Sequence, residues 1–339
     1  MKSQFGVALL SATAIVASAP AQAAGTLTRT FVSSAGVDSN PCTIAAPCAS
    51  FAAAYNAVQA NGIIAALDPG KYGPLTISYP VTVNGNGWSA ITAPAQGNGI
   101  TVNAGSGNVV LTGLEIDGAG AAYNGIVFNT GSSLTVSNCV VKDFVANING
   151  QFGASGNGIL IAPTSGPINF AIVNTIAVNN AQDGINYFLD NAVTAIGAID
   201  HVVVSNNGEG INFDLSSAPG SAAVSISNSV VSHNVDGISV NEINLSTVTR
   251  NNSGAHAVGP PAQPFVSLTI DNDEISNNNG NGISIGLGAV LLSRSVITKN
   301  LATGVLNGAT VYTYGDNRIY ANGNNNAVLG VPLTPITPQ

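Results

Sequence analysis

Short runs in which every second residue is apolar dominate the chain. Val224-Ser225-Ile226-Ser227 and Ile283-Ser284-Ile285 alternate with the period of two that marks a half-buried strand, and helical spacing is absent over the same stretches. The punctuation between these runs recurs. A Gly followed by Ile or Val appears as NGI at Asn98, Asn124 and Asn157, DGI at Asp183, EGI at Glu209, DGI at Asp236, NGI at Asn281 and TGV at Thr303, mostly 22 to 33 residues apart. The one long gap holds a degenerate copy, Ser253-Gly254-Ala255. Upstream of each Gly lies a β-branched run closed by Asn. These asparagines are read as Asn180, Asn206, Asn234, Asn278, Asn300 and Asn322, with Asn251 in the degenerate copy.

Each unit therefore reads as strand, polar corner, Gly, strand. A β-sandwich has no reason to repeat one corner at a near-constant period, whereas a solenoid does, because each coil stacks on the next about 4.8 Å away. Stacked Asn side chains then hydrogen-bond along the axis, and Gly is expected to supply the positive φ of the corner. The stretch SFAAAYNAV, from Ser50, predicts a short amphipathic helix that closes one end of the coil.

The repeat, the corners and LDPGKYGPLTISYPVTVNGNG (from Leu67) together resemble the right-handed parallel β-helix proteins, the pectin-lyase-like superfamily, over roughly residues 50–330. The resemblance implies an all-β right-handed parallel β-helix (solenoid) with a short N-terminal capping helix. It also implies polysaccharide lyase or hydrolase activity, or a non-catalytic rod, since one fold carries many functions.

Composition narrows the setting. Charged residues are 7% of the 339-residue chain, and eight basic residues, scattered singly, face sixteen acidic ones for a formal charge of −8. That balance excludes a nucleic-acid backbone as partner. Residues 1–23, with Lys2, an apolar Phe5–Ala19 stretch and Ala21-Gln22-Ala23, read as a signal peptide, so the mature chain is expected to be exported without a membrane span. It would be periplasmic, on the cell surface or secreted. Residues 24–49 then form a polar lead-in and 331–339 a proline-rich tail, with a further loop at Pro260–Pro264. An oxidising compartment favours joining Cys42 to Cys48, since no second Cys or His pair lies near enough for a metal site, while Cys139 is expected to be a buried free thiol.

Candidate chemistry comes from the register of the repeat. The residue before the corner Gly is acidic in three consecutive units, Asp183, Glu209 and Asp236, which places a row of carboxylates along one face. Asp214 falls on a neighbouring rung between Phe188 and Asn241, with Asn212 and His233 bordering the patch; Tyr187 and Phe213 point inward. Charges about 5 Å apart repel by roughly 1–3 kcal/mol, so the row must splay into water, share a proton or bind a cation. Three readings follow: a catalytic carboxyl pair at glycosidase separation, a Ca²⁺ site at Asp183, Glu209 and Asp236, or solvated corners in which Asp replaces Asn. The lyases of the resembled family use a basic residue beside the acidic groove, which here would be Arg250, Arg294, Arg318, Lys142 or Lys299. The polygalacturonase and pectin methylesterase signatures are absent, and Lys142-Asp143-Phe144 is best read with Asp143 as a corner residue. Trp88 and the late tyrosines Tyr312, Tyr314 and Tyr320 are candidate sugar platforms. The expected function is an exported, non-catalytic β-helix contacting polysaccharide or cell-envelope glycan. The alternative is a lyase or glycosidase using Asp183, Glu209, Asp236 and Asp214.

Overall fold

A computed structural model of the chain describes residues 24–146, 155–188, 193–214, 220–241, 266–286, 289–323 and 328–337. The leader, the degenerate copy with Asn251, Arg250 and the Pro260–Pro264 loop lie outside these residues. The strands wind into a parallel β-helix made of a 20-stranded sheet, which wraps two faces of the coil, and a 10-stranded sheet on the third. One coil contributes Asp183–Phe188 to the smaller sheet, then Thr194–Asp200 and Val203–Ser205 to the larger. Each strand pairs in parallel with its equivalent one coil away, as Asp183–Phe188 does with Glu209–Asp214.

Period-two alternation aims one apolar residue per rung into the coil. Ile159, Ile185, Ile211, Ile238, Ile283 and Val305 stack in register down the ten-stranded sheet, all essentially out of water. Burying each such side chain contributes about 1.5–3 kcal/mol. Tyr187 and Phe213 point inward as the alternation requires, with ring centroids 6.2 Å apart.

Two lines of left-handed residues turn the chain. One runs through Asn179, Asn206, His233, Asn277, Lys299 and Ala321, the other through Asn138, Asn174, His201, Asn228, Asn272 and Arg294. Asn predominates because its short polar side chain tolerates this conformation best among non-glycine residues. Asp143, with φ +63°, is a corner residue as expected.

Directly after the first line comes the asparagine ladder. The Oδ1 atoms of Asn207, Asn234, Asn278, Asn300 and Asn322 each accept both the backbone N–H and the Nδ2 of the ladder asparagine one coil earlier, beginning with Asn180. Two corrections follow. The ladder member in VVVSNN is Asn207, and Asn206 takes the left-handed position before it. Moreover, Gly125, Gly158, Gly184, Gly210, Gly237 and Gly282 do not have positive φ. A Cβ there would collide with the core or the next coil's backbone, and in all but Gly125 would crowd the ladder: at Gly184 it would lie 2.3 Å from Val204 Cγ1, 2.8 Å from Asn207 Nδ2 and 2.8 Å from Gly210 O. Space, not backbone freedom, requires these glycines.

The lead-in is also more ordered than its polarity suggests. Leu27–Val32 pairs in parallel with Val58–Ala66 as the first rung, and Thr334–Pro335 of the tail adds a two-residue edge strand beside Tyr312 and Thr313. The helix Phe51–Ala57 closes the N-terminal end, with Ser50 Oγ accepting from Ala53 N and Phe51, Ala54 and Tyr55 buried. Cys42 and Cys48 form a disulfide beside it, and Cys139 is a buried free thiol. Loop-closure entropy for so small a ring is about 2–3 kcal/mol. The double Cys42→Ser, Cys48→Ser variant is accordingly expected to lose about that much stability in urea, and a loss below about 0.5 kcal/mol would mean the loop is held by its other contacts.

Candidate acidic site on the ten-stranded sheet

The three acidic residues fall where the repeat places them. Asp183 pairs with Glu209 and Glu209 with Asp236 on successive strands, and Asp214 lies between Phe188 and Asn241. The row faces away from the apolar interior, yet it is not solvated: Asp183 is 4% exposed and Asp236 2%. Its neighbours on the same outer side, Asn157, Asn186, Ser239 and Ser284, are equally buried. Of the three readings of the row, that of solvated corners therefore does not fit Asp183 and Asp236, while Glu209 is partly exposed.

Hydrogen bonds explain what the row is built into. Asn124 Nδ2 donates to Asn98 Oδ1 at 3.2 Å, and Asn157 donates through both its backbone N–H and Nδ2 to Asn124 Oδ1 at 3.1 Å. Asp183 N–H continues the series to Asn157 Oδ1 at 3.4 Å, and Thr303 N–H donates to Asn281 Oδ1 at 2.8 Å. From Asn98 to Asp183, and again between Asn281 and Thr303, the position before the corner Gly is thus a second polar ladder, which runs opposite to the first; the N–H groups of Glu209 and Asp236 donate to Gln182 O at 3.2 Å and Gly208 O at 3.1 Å.

Burial sets the charge state. Desolvation, with Glu209 and Asp214 nearby, pushes the Asp183 carboxyl well above the usual carboxylate range, against the pull of Asn212 Nδ2, which donates to Asp183 Oδ2 at 3.2 Å. Desolvation likewise pushes Glu209 up to about 7, opposed by a hydrogen bond from Ser239 and reinforced by Asp214. Glu209 is partly exposed as a whole, but its Oε2 is enclosed and lacks a hydrogen-bond partner, as does Asn186 Oδ1. A protonated carboxyl can both donate and accept, which is what the amide of Asn does in the neighbouring rungs.

This arrangement makes stability depend on pH in a defined direction. Both carboxyls bind their protons more tightly in the folded than in the unfolded chain, so their contribution is complete below the unfolded value near pH 4. It is lost as pH rises through the folded values, for Glu209 between 4.5 and about 7. At about 1.4 kcal/mol per unit, Glu209 accounts for up to about 3 kcal/mol. Asp183→Asn and Glu209→Gln are expected to flatten the fall in urea midpoint between about pH 5 and 8 and to exceed the wild type at the alkaline end. Variants as pH-sensitive as the parent would refute this account.

The other sequence candidates lie elsewhere. His233 is exposed at its corner, with Nδ1 3.2 Å from Ser232 Oγ. Lys142 pairs with Glu115 at 2.7 Å, and Arg294 binds Asp271. Among the described residues no three His, Cys, Asp or Glu side chains converge closely enough to hold a metal ion, whereas Ca²⁺ takes about six to eight oxygens. Trp88 is 50% exposed and Tyr320 54%, with Tyr312 and Tyr314 also open to solvent. Sequence reasoning missed Asp273, which is buried in a further ladder at the second corner. It accepts from Ser229 N at 2.7 Å and Asp271 N at 3.1 Å, and desolvation still holds it up near 7. It belongs to a series of short polar side chains, Thr175, Ser229, Asp273, Ser295 and Asn317, that accept backbone N–H groups at this corner, and the signal was broken by Cys139 and Val202 at the equivalent positions.

No family model matches the chain, and no curated protein matches it in sequence. Solved structures do. Pectate lyase Pel9A superposes with a TM-score of 0.59 at 20% identity, covering 92% of this chain and 78% of that one. The Dettilon tailspike protein gives a TM-score of 0.41 at 13% identity over 77% and 61% of the two chains. A rhamnogalacturonan lyase gives 0.38 at 13% identity over 84% and 75%. At such identities the likeness is one of fold, and the chain is a right-handed parallel β-helix.

Proposed function

We propose that this is an exported β-helix rod that contacts polysaccharide or cell-envelope glycan without cleaving it. One observation supports the non-catalytic part: Asp183 and Asp236 are withdrawn from solvent, and Asp183 ends a hydrogen-bonded Asn ladder through its N–H, which donates to Asn157 Oδ1. The glycan part is supported by exposed Trp88, Tyr312, Tyr314 and Tyr320, because sugar rings stack on open aromatic faces, and by the β-helix fold shared with a pectate lyase. Export is supported by the Cys42–Cys48 disulfide; no helix among the described residues is long and apolar enough to cross a membrane.

A second reading has its own observation. A carboxyl held near 7 with an enclosed, unpartnered oxygen, beside a second carboxyl pushed above the usual range by burial, is the usual makeup of a general acid–base pair. On that reading Glu209 and Asp183, with Asp214 and Asp236, would serve a glycosidase or lyase. Co-sedimentation with insoluble pectin, cellulose, chitin and peptidoglycan tests the contact itself. Retention on at least one polymer, unaffected by Glu209→Gln, is the expected result. Failure to be retained on any of them would remove the glycan reading.

A further inference from the structure

A cleft of about 300 Å³ lies between the capping helix and the first two strands of the ten-stranded sheet, Leu75–Ile77 and Asn98–Asn103. It is far from the acidic row in sequence and rung order, and nothing above assigns it a role. Its volume sits at the small end of ligand pockets, which run from about 300 to 1,000 Å³.

The chemistry of the lining is selective. None of its eight residues is charged. Buried Tyr55 and Leu75 form the apolar floor, while Ala52 and Asn56, one helical turn apart, form the wall on the helix side. On the sheet side stand Thr76, Asn98 and Thr101. Asn98 Oδ1 accepts from Asn124 and its Nδ2 donates to Thr101 Oγ1 at 3.3 Å, which fixes the amide orientation. That leaves the second Nδ2 proton of Asn98 and the hydroxyl proton of Thr101 for a ligand, beside the exposed hydroxyl of Thr76.

The walls are held rigidly. Tyr55 Oη accepts from Ser78 N at 2.7 Å and Tyr79 N at 2.8 Å, its ring stacks on Tyr79 at 4.2 Å, and Ser50 caps the helix. A site fixed in this way loses little freedom on binding. The cleft is also closed along the sheet: Thr76 and Thr101 share a row with Val127 and Leu160, which are buried. An occupant therefore ends here and does not run on along the coil.

We propose that this cleft binds one neutral sugar unit, either free or as the terminal residue of a glycan. Alternating hydroxyl donors and acceptors match the Asn and Thr groups, and the sugar's apolar face meets the exposed side chains of Ala52 and Pro74 above the buried Leu75 and Tyr55. A uronic acid is disfavoured, because its carboxylate would be desolvated with no cation in the lining. The inference rests on the glycan-contacting reading but concerns a different surface from the acidic row.

The test is NMR titration of the full mature chain with glucose, galactose, mannose, N-acetylglucosamine and galacturonic acid, and with short neutral oligosaccharides. Saturable shifts at Asn98 and Thr101 are expected with at least one neutral sugar, and at least tenfold weaker binding of galacturonic acid. Tighter binding of the oligosaccharide than of its monomer would identify a glycan terminus as the source, and equal binding a free sugar. Ala52→Phe, at an exposed helix position, fills the cleft and should weaken binding tenfold or more; Thr101→Val, which removes only a hydroxyl, should weaken it several-fold. Absence of saturable shifts with every neutral sugar, or unchanged affinity in both folded variants, overturns the proposal. If the Ala52→Phe chain still co-sediments with polymer while binding no sugar here, the broader glycan reading survives and only an essential role of this cleft in polymer retention is lost. If sugars bind but no polymer retains the chain, the cleft stands and the broader reading falls.

Discussion

Gly210→Ala is expected to break the solenoid at its middle and to lower stability by more than about 4 kcal/mol, at the extreme of single substitutions. A Cβ on residue 210 would lie 2.4 Å from Gly237 O, 2.6 Å from Val231 Cγ1 and 2.8 Å from Asn234 Nδ2. The first of these atoms is backbone in the next coil, so relief requires the two coils to part. Parting them lengthens the ladder bonds on both sides. In a repeat protein each coil is coupled only to its neighbours. Urea unfolding followed by Tyr187 and by the late tyrosines should then no longer coincide. Gly120→Ala is the control. Residue 120 has φ +65° with open space around its Cβ, so alanine there meets backbone strain alone, about 1 kcal/mol. Equal effects at the two positions would show that φ, not space, governs the repeat glycines.

Asn234→Ala is the second large loss. Asn234 is completely buried, and its Oδ1 accepts from Asn207 N and Asn207 Nδ2, both at 3.0 Å. Its Nδ2 donates to Val204 O at 3.1 Å and to Asn278 Oδ1 at 3.4 Å. Alanine leaves two N–H groups and a carbonyl buried without partners. Each such orphan costs about 1–3 kcal/mol, so a total near 4 kcal/mol is expected from denaturant midpoints. Asn234→Asp keeps the acceptors, loses both donors and brings a charge into a dry ladder. It should be as damaging near neutral pH and milder in acid, where the carboxyl is protonated and donates again. A loss below about 1 kcal/mol for alanine would mean that water replaces the side chain.

The solenoid was legible because one physical requirement repeats. Stacking forces the same corner in every coil, so NGI and the Asn before it recur. The error at Asn206 has a physical source. Asn suits both the left-handed position and the ladder, and in VVVSNN it fills both. The units ending His233-Asn234 and Lys299-Asn300 separate the two roles, since His233 and Lys299 take the left-handed corner and Asn the ladder. The first rung, Leu27–Val32, was passed over because Arg29 and the threonines Thr26, Thr28 and Thr30 read as polar, and the side it buries is carried by Thr30 and Val32 with Leu27, Arg29 and Phe31 on the other.

The acidic site was half legible. Register alone put Asp183, Glu209 and Asp236 in line and Asp214 beside Phe188. What register cannot convey is whether the outer side of a strand faces water. Asp183, Asn186, Asp236 and Ser284 are all enclosed on a side that the repeat leaves open. That enclosure pushes the Asp183 and Glu209 carboxyls above the usual carboxylate range, and it moves the weight from catalysis toward structure.

The measurement that tests this most directly is product analysis. A chain lacking residues 1–23 is incubated with pectin, rhamnogalacturonan and neutral polysaccharides, with and without Ca²⁺, and polymer lengths and end groups are read by mass spectrometry. Intact polymers in every mixture, with Glu209→Gln indistinguishable from the parent, are the predicted result. Shortened chains that disappear with Glu209→Gln or Asp183→Asn would contradict it and make the acidic row an active site.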